Sequence, residues 1–119
     1  MGQGSIIGYE INEKTCQISF YNEKDLEPDT LEVDTDNYQI PLIIGKLRDT
    51  WAYGKEAKRL VTIKDGFTAT RLLSKSLAGD KIEFGEETYD AVWLLSQFIQ
   101  MSLQSFPEID GIVFTVPSL

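Results

Sequence analysis

Histidine is absent from the 119-residue chain, cysteine occurs once, and residues 82–119 contain neither lysine nor arginine. Each absence removes a class of chemistry. Without imidazole there is no His-based triad, no imidazole general base and no His-containing zinc site, and one thiol cannot complete a four-thiolate site. Cys16 can form no intrachain disulfide and lies between apolar residues, which reads as a small buried hydrophobe in a reducing compartment rather than a nucleophile. No segment approaches the roughly 18 consecutive apolar residues that span a bilayer, and Met1-Gly-Gln-Gly4 offers no basic, apolar leader. The expectation is a soluble, cytoplasmic protein without a membrane partner. Gly2 makes no myristoylation signal, because Ile6 stands where Ser or Thr is required.

What is present is enough for one core: 42% of the residues are hydrophobic, which suits one ordinary domain or a piece of a larger one. The net charge of −8 argues against a nucleic-acid partner, since phosphate backbones demand a dense cationic stripe. The charge is unevenly spread. Residues 1–40 carry nine acids and two bases, and residues 46–81 carry four acids and nine bases. The middle is thus a net +5 island, either a solvated face or a surface for an acidic protein partner or an anionic ligand. The acidic run Glu23, Asp25, Glu27, Asp29, Glu32, Asp34, Asp36 is not a calcium loop. It lacks the required glycine and the closing bidentate Glu, so no metal is expected there, only a solvated loop containing Pro28.

Apolar alternation over Ser5 to Ile11 and Cys16 to Tyr21, separated by Asn12-Glu-Lys-Thr15, predicts a β-hairpin. Leu31 to Val33 and Tyr38 to Ile44 read as further strands, the second ending at Gly45 and placed at an edge or bulge by Pro41. Trp51 to Gly54 reads as a short strand leading into a helical turn or two over 55–60. After the Asp65-Gly66 turn, Phe67, Arg71, Leu72 and Leu77 predict a helix that stops at Gly79. Glu86 and Glu87 suit the start of another helix, whose stripe is Val92, Leu95, Ile99, Leu103 and Phe106, widened by Trp93, Leu94, Phe98 and Met101, and which Pro107 stops. Such a helix needs cover on more than one side. Ile112 to Val116 is an unalternating β run, the mark of a strand buried on both faces. The predicted class is α/β, a mixed sheet in β-β-β-α-β order with a helix packed on it.

The segments Ile6-Ile-Gly-Tyr-Glu-Ile11, Ile40-Pro-Leu-Ile-Ile44, Tyr53-Gly-Lys-Glu-Ala-Lys-Arg59, Phe67-Thr-Ala-Thr-Arg-Leu-Leu73 and Gly111-Ile-Val-Phe-Thr-Val-Pro117 follow one another as in DnaK-type heat-shock chaperones. The chain resembles the N-terminal part of that family's ATPase domain, over most of its 119 residues. The resemblance implies an actin-like, ribonuclease H-like half-lobe, with 46–81 as a peripheral subdomain. It also implies that the first hairpin turn is a phosphate loop, putting Glu10, Asn12, Glu13, Lys14 and Thr15 beside phosphate. The family's lysine near the transferred phosphate falls on Thr70, next to Arg71.

The departures point away from catalysis. Glu10 replaces the family's Asp, the turn has lost its glycine, Glu13 brings negative charge towards phosphate, and Thr70 carries no charge. On a helix Arg71 would point about 100° away from Thr70. The resemblance therefore implies no cofactor for this segment alone, with ATP and magnesium belonging to a longer protein, and no catalytic residue here. Two functions follow: the opening part of a nucleotide-binding, pseudo-ATPase-like protein, or an interaction module that self-associates through exposed apolar surface. A hydrolase built on Glu10, Glu13 and Asp110 is a distant third.

Overall fold

The computed structural model describes residues 5–21, 29–30, 38–106 and 108–116. The expectations for the acidic run, Pro28, Leu31 to Val33, Pro107 and Pro117 fall largely or wholly outside those residues. The predicted hairpin forms: β1 (Ser5–Ile11) pairs antiparallel with β2 (Thr15–Tyr21), Ile7 opposite Phe20 and Ile11 opposite Cys16. Alternation turns Ile7, Tyr9 and Ile11 of β1 inward together with Cys16 and Ile18 of β2, all buried. The two-residue strands β3 (Asp29–Thr30) and β4 (Ile40–Pro41) both pair with β2. The stretch expected to run as one strand from Tyr38 to Ile44 is interrupted after Pro41, which has no N–H to extend a ladder.

The chain then leaves this sheet. Strands β5 (Ile44–Leu47), β6 (Thr50–Tyr53) and β7 (Gly66–Ala69) form a second, antiparallel sheet in the order β6-β5-β7. Gly45 does not end a strand, as its residue type suggested, but lies inside β5. A Cβ there would stand 2.8 Å from the Phe67 carbonyl oxygen and 2.9 Å from Leu60 Cδ1, so close backbone approach is what requires glycine. Helix α1 (Gly54–Arg59) and a 3-10 turn over Leu60–Thr62 follow β6, burying Ala57 and Leu60. The predicted helix from Phe67 is half strand. Gly66–Ala69 is β7, and α2 begins only at Leu72 and runs to Ala78, where Gly79 caps it at φ 71°. Of the residues that carried the helical pattern, Phe67 belongs to the strand, and so short a window does not separate a strand's period from a helix's.

Glu86 and Glu87 do not open a helix. They belong to the hairpin of β8 (Lys81–Phe84) and β9 (Glu87–Asp90), whose turn contains Gly85 at φ 66°. Helix α3 (Ala91–Ser102) starts directly after it and turns Ala91, Leu94, Phe98 and Ser102 inward. The expected stripe was rotated: Val92 and Trp93 are exposed, while Leu103, just past the helix, is buried. Finally β10 (Ile109–Thr115) returns to the first sheet and pairs parallel with β1, Ile7 beside Ile112 and Tyr9 beside Phe114. The order β10-β1-β2-β3, with β4 also on β2, makes a mixed sheet, as expected. The expectation that β10 is covered on both faces fails: Val113, Phe114 and Val116 are 62%, 50% and 54% exposed. A β-former run without alternation does not by itself specify what lies on either face.

One apolar core joins these layers, from Ile7, Ile18 and Leu42 through Leu72 to Leu94 and Phe98. Each fully buried aliphatic or aromatic side chain contributes about 1.5–3 kcal/mol. The polar atoms within it form a chain. The Cys16 thiol donates to Tyr9 Oη at 3.7 Å, Tyr9 Oη lies 2.6 Å from Ser102 Oγ, and Ser102 donates to the Ile99 carbonyl at 2.8 Å. Because the one Ser102 proton goes to Ile99, Tyr9 is the donor to Ser102, and both hydroxyls of this chain of bonds are satisfied. Burial pushes Tyr9 well above an ordinary phenol and the Cys16 thiol up to about 11. Cys16 is thus the buried small hydrophobe expected, free and protonated.

Candidate functional site

The β1–β2 turn is held from two sides. The Asn12 N–H donates to the Thr15 carbonyl at 2.8 Å, and the Leu42 N–H to the Lys14 carbonyl at 2.9 Å. Across from it, the link between β7 and α2 passes through Thr70 and Arg71, the latter in the left-handed region at φ 53°, ψ 39°. Arg71 therefore precedes the helix and is not separated from Thr70 by a helical step, contrary to the geometry expected for a helix running through both. Between the two segments lies an open cleft of about 240 Å³ lined by Glu13, Lys14, Leu42, Ile43, Thr70 and Arg71.

Four of the seven residues singled out from sequence thus share one cleft, although 55 positions or more separate the turn from the link. Glu10, Asn12 and Thr15 do not line it. Glu10 is exposed near the end of β1, paired in register with Gln17 and Thr115. Asp110 is exposed at the far end of β10, at the bulge between the Ser5–Ile109 and Ile6–Gly111 pairs, so it makes no carboxylate pair with Glu13. Among the described residues no group of three or more Cys, Asp or Glu is placed to hold a metal ion.

Sequence reasoning missed Ser74. Its hydroxyl donates to Glu13 Oε1 at 2.6 Å, tying the hairpin turn to α2, and also approaches the Arg71 carbonyl at 3.3 Å. Spacing to Arg71 is the one signal that pointed to it, as a residue on the first turn of α2. Also missed was an aromatic assembly where the second sheet meets the β8–β9 hairpin and α3, with Phe84 in the core and Trp51 and Tyr89 packed against it. Trp51 meets Tyr89 and Trp93 edge-on at 5.4 and 5.6 Å, and Phe67 stacks on Phe84 at 5.6 Å. Lys46 Nζ lies 5.2 Å from the Trp51 ring centre and donates to Tyr89 Oη and Glu87. Hydrogen bonds from Tyr89 and then Lys46 hold the Glu87 carboxyl below its ordinary range. These contacts bind the β8–β9 hairpin and α3 to the second sheet, a structural task.

Residues 27–119 match the C-terminal region of a family of unknown function, DUF5716. The chain belongs to the DUF5716 family. No curated protein matches it. Its fold is similar to a solved structure of MamK, an actin-like ATPase, in a non-polymerising mutant bound to AMPPNP, with a TM-score of 0.60 at 11% identity. The alignment covers 99% of this DUF5716 chain and 34% of MamK, so the chain spans about a third of that structure's length. The likeness establishes a distant actin-like fold and nothing of activity. No helix among the described residues of this DUF5716 member is long and apolar enough to cross a membrane.

Proposed function

We propose that this chain is the phosphate-facing part of an actin-like, nucleotide-binding protein with a degenerate phosphate loop, one that binds nucleotide weakly and does not hydrolyse it on its own. The carrying observation is the cleft that gathers Glu13, Lys14, Thr70 and Arg71 from two distant segments, the segments that the resemblance to DnaK-type ATPase domains associates with phosphate. MamK, which shares the fold, was solved with AMPPNP bound. The residues present fit an anion in part. Lys14 and Arg71 supply charge and Thr70 a hydroxyl, and a cleft of about 240 Å³ suits phosphates rather than a whole nucleotide. The adenosine would be held by parts of a longer protein. Magnesium, brought with the nucleotide, would supply neutralisation of phosphate charge, with Glu13 the nearest carboxylate. Among the described residues the cleft's one carboxylate, Glu13, is engaged by the Ser74 hydroxyl, which supports binding without hydrolysis.

Calorimetric titration of ATP with magnesium tests this. The expected result is millimolar binding, weakened about tenfold by Lys14→Ala or Arg71→Ala, as for the loss of one charge-assisted contact. Absence of binding at millimolar nucleotide would overturn it.

Val113 and Phe114, exposed on opposite faces of β10, and Val116 just beyond it favour a second reading, self-association through that strand. The basic residues of 46–81 remain a proposed surface for an acidic protein partner. Sedimentation across a concentration series decides the β10 reading: a concentration-dependent shift is expected, and a monomer at high concentration counts against it.

A further inference from the structure

The Glu13 carboxylate shares its cleft with the two cations Lys14 and Arg71. It lines the cleft with Lys14, Thr70 and Arg71 and is fixed at 2.6 Å from the Ser74 hydroxyl. Among the described residues neither Lys14 nor Arg71 forms an ion pair, so the cleft's two cations face one resident carboxylate and are otherwise open to a ligand. The Ser74–Glu13 bond is exposed, and its donor sits on a helix whose Leu72 and Leu73 are buried in the core.

We propose that Glu13 is the specificity-determining residue of this cleft: pinned by Ser74, it acts as a built-in competitor that sets a low affinity for free phosphate and pyrophosphate. The proposal rests on reading the cleft as an anion site. Two charges about 4 Å apart interact by about 1 kcal/mol even in bulk water, so a resident carboxylate costs an anion much of its attraction to the two cations. Glu13→Gln removes the charge while its amide oxygen still accepts from Ser74. Ser74→Ala keeps the charge but releases it to solvent.

The test is calorimetric titration of sodium pyrophosphate, and separately of ATP with magnesium, into the wild-type protein and both variants, with circular dichroism to confirm folding. Glu13→Gln is expected to bind pyrophosphate about five- to tenfold more tightly than wild type, and Ser74→Ala about two- to threefold. Unchanged or weaker pyrophosphate binding in Glu13→Gln overturns the role of Glu13, and if wild type then still binds ATP the nucleotide reading survives alone. Tighter pyrophosphate binding in the variant with no ATP binding by wild type does the reverse. If no protein binds either ligand, both fall. Should Glu13→Gln fail to fold, the Ser74→Ala result decides on the same terms.

Discussion

Strands β1 and β10 lie side by side in one sheet, run parallel, and share a length of seven residues and a composition rich in β-formers. Their environments are opposite. Ile7 and Tyr9 are fully buried, whereas their register partners Ile112 and Phe114 are exposed, as is Val113 beside Gly8. The difference is one of position. β1 has a strand on each side and the end of α3 above it, where Ser102 meets Tyr9. Among the described residues β10 has β1 on one side only, and Phe114 lies 5.7 Å from the Tyr9 ring. Strand propensity therefore reports the backbone state of β10 and not its burial, which depends on what covers it.

The largest contrast should appear on truncating the buried partner. Ile7→Ala is expected to cost about 2–5 kcal/mol in urea unfolding, from lost transfer energy and an unfilled cavity. The same truncation at Ile112, its neighbour in register, is expected to cost less than half as much, and equal losses would show that β10 is covered in solution. A second, intermediate effect separates the strands by pH. Burial raises the Cys16 thiol from 9.0 to about 11 and Tyr9 further still. A group with a raised folded-state value binds its proton more tightly when folded, so its stabilisation is complete below its unfolded value and lost as pH rises. The contribution of these two groups should therefore be constant below about pH 9 and fall from there through about 11 and beyond, Cys16 first and then Tyr9. Cys16→Ala should remove the earlier part of that fall, read by urea titrations at several pH values. An unchanged profile would mean the thiol is not buried against Tyr9.

Much of this was legible in the sequence where a pattern is local. The β1–β2 hairpin follows from alternation around a polar turn, and the stop of α2 at Gly79 follows from the one residue type that adopts φ 71° without cost. The Glu86-Glu87 pair misled because two acids suit a hairpin turn as well as a helix start, and the β8–β9 pairing is settled by Trp51 and Phe84 packing on Tyr89. Thr70 and Arg71 were recognisable only by resemblance, since nothing in composition says that a turn at 12–15 and a link at 70–71 converge. For Ser74, spacing to Arg71 placed it on the first turn of α2, but nothing in the sequence tied it to Glu13. Its bond to Glu13 spans 61 positions.

The smallest expected effect tests β10 most directly. Val113 is 62% exposed, on the opposite face from Phe114 and next to Gly8, which has no side chain to pack against it. Val113→Thr keeps β-branching and nearly the same shape while making the surface polar. In a monomer its cost should be within about 0.5 kcal/mol, as for exposed positions generally. If β10 is a contact strand, the same variant should lower self-association in sedimentation while leaving the urea midpoint at low concentration unchanged. A large loss of monomer stability would instead place Val113 under cover that belongs to this chain, and the contrast between the two strands would disappear.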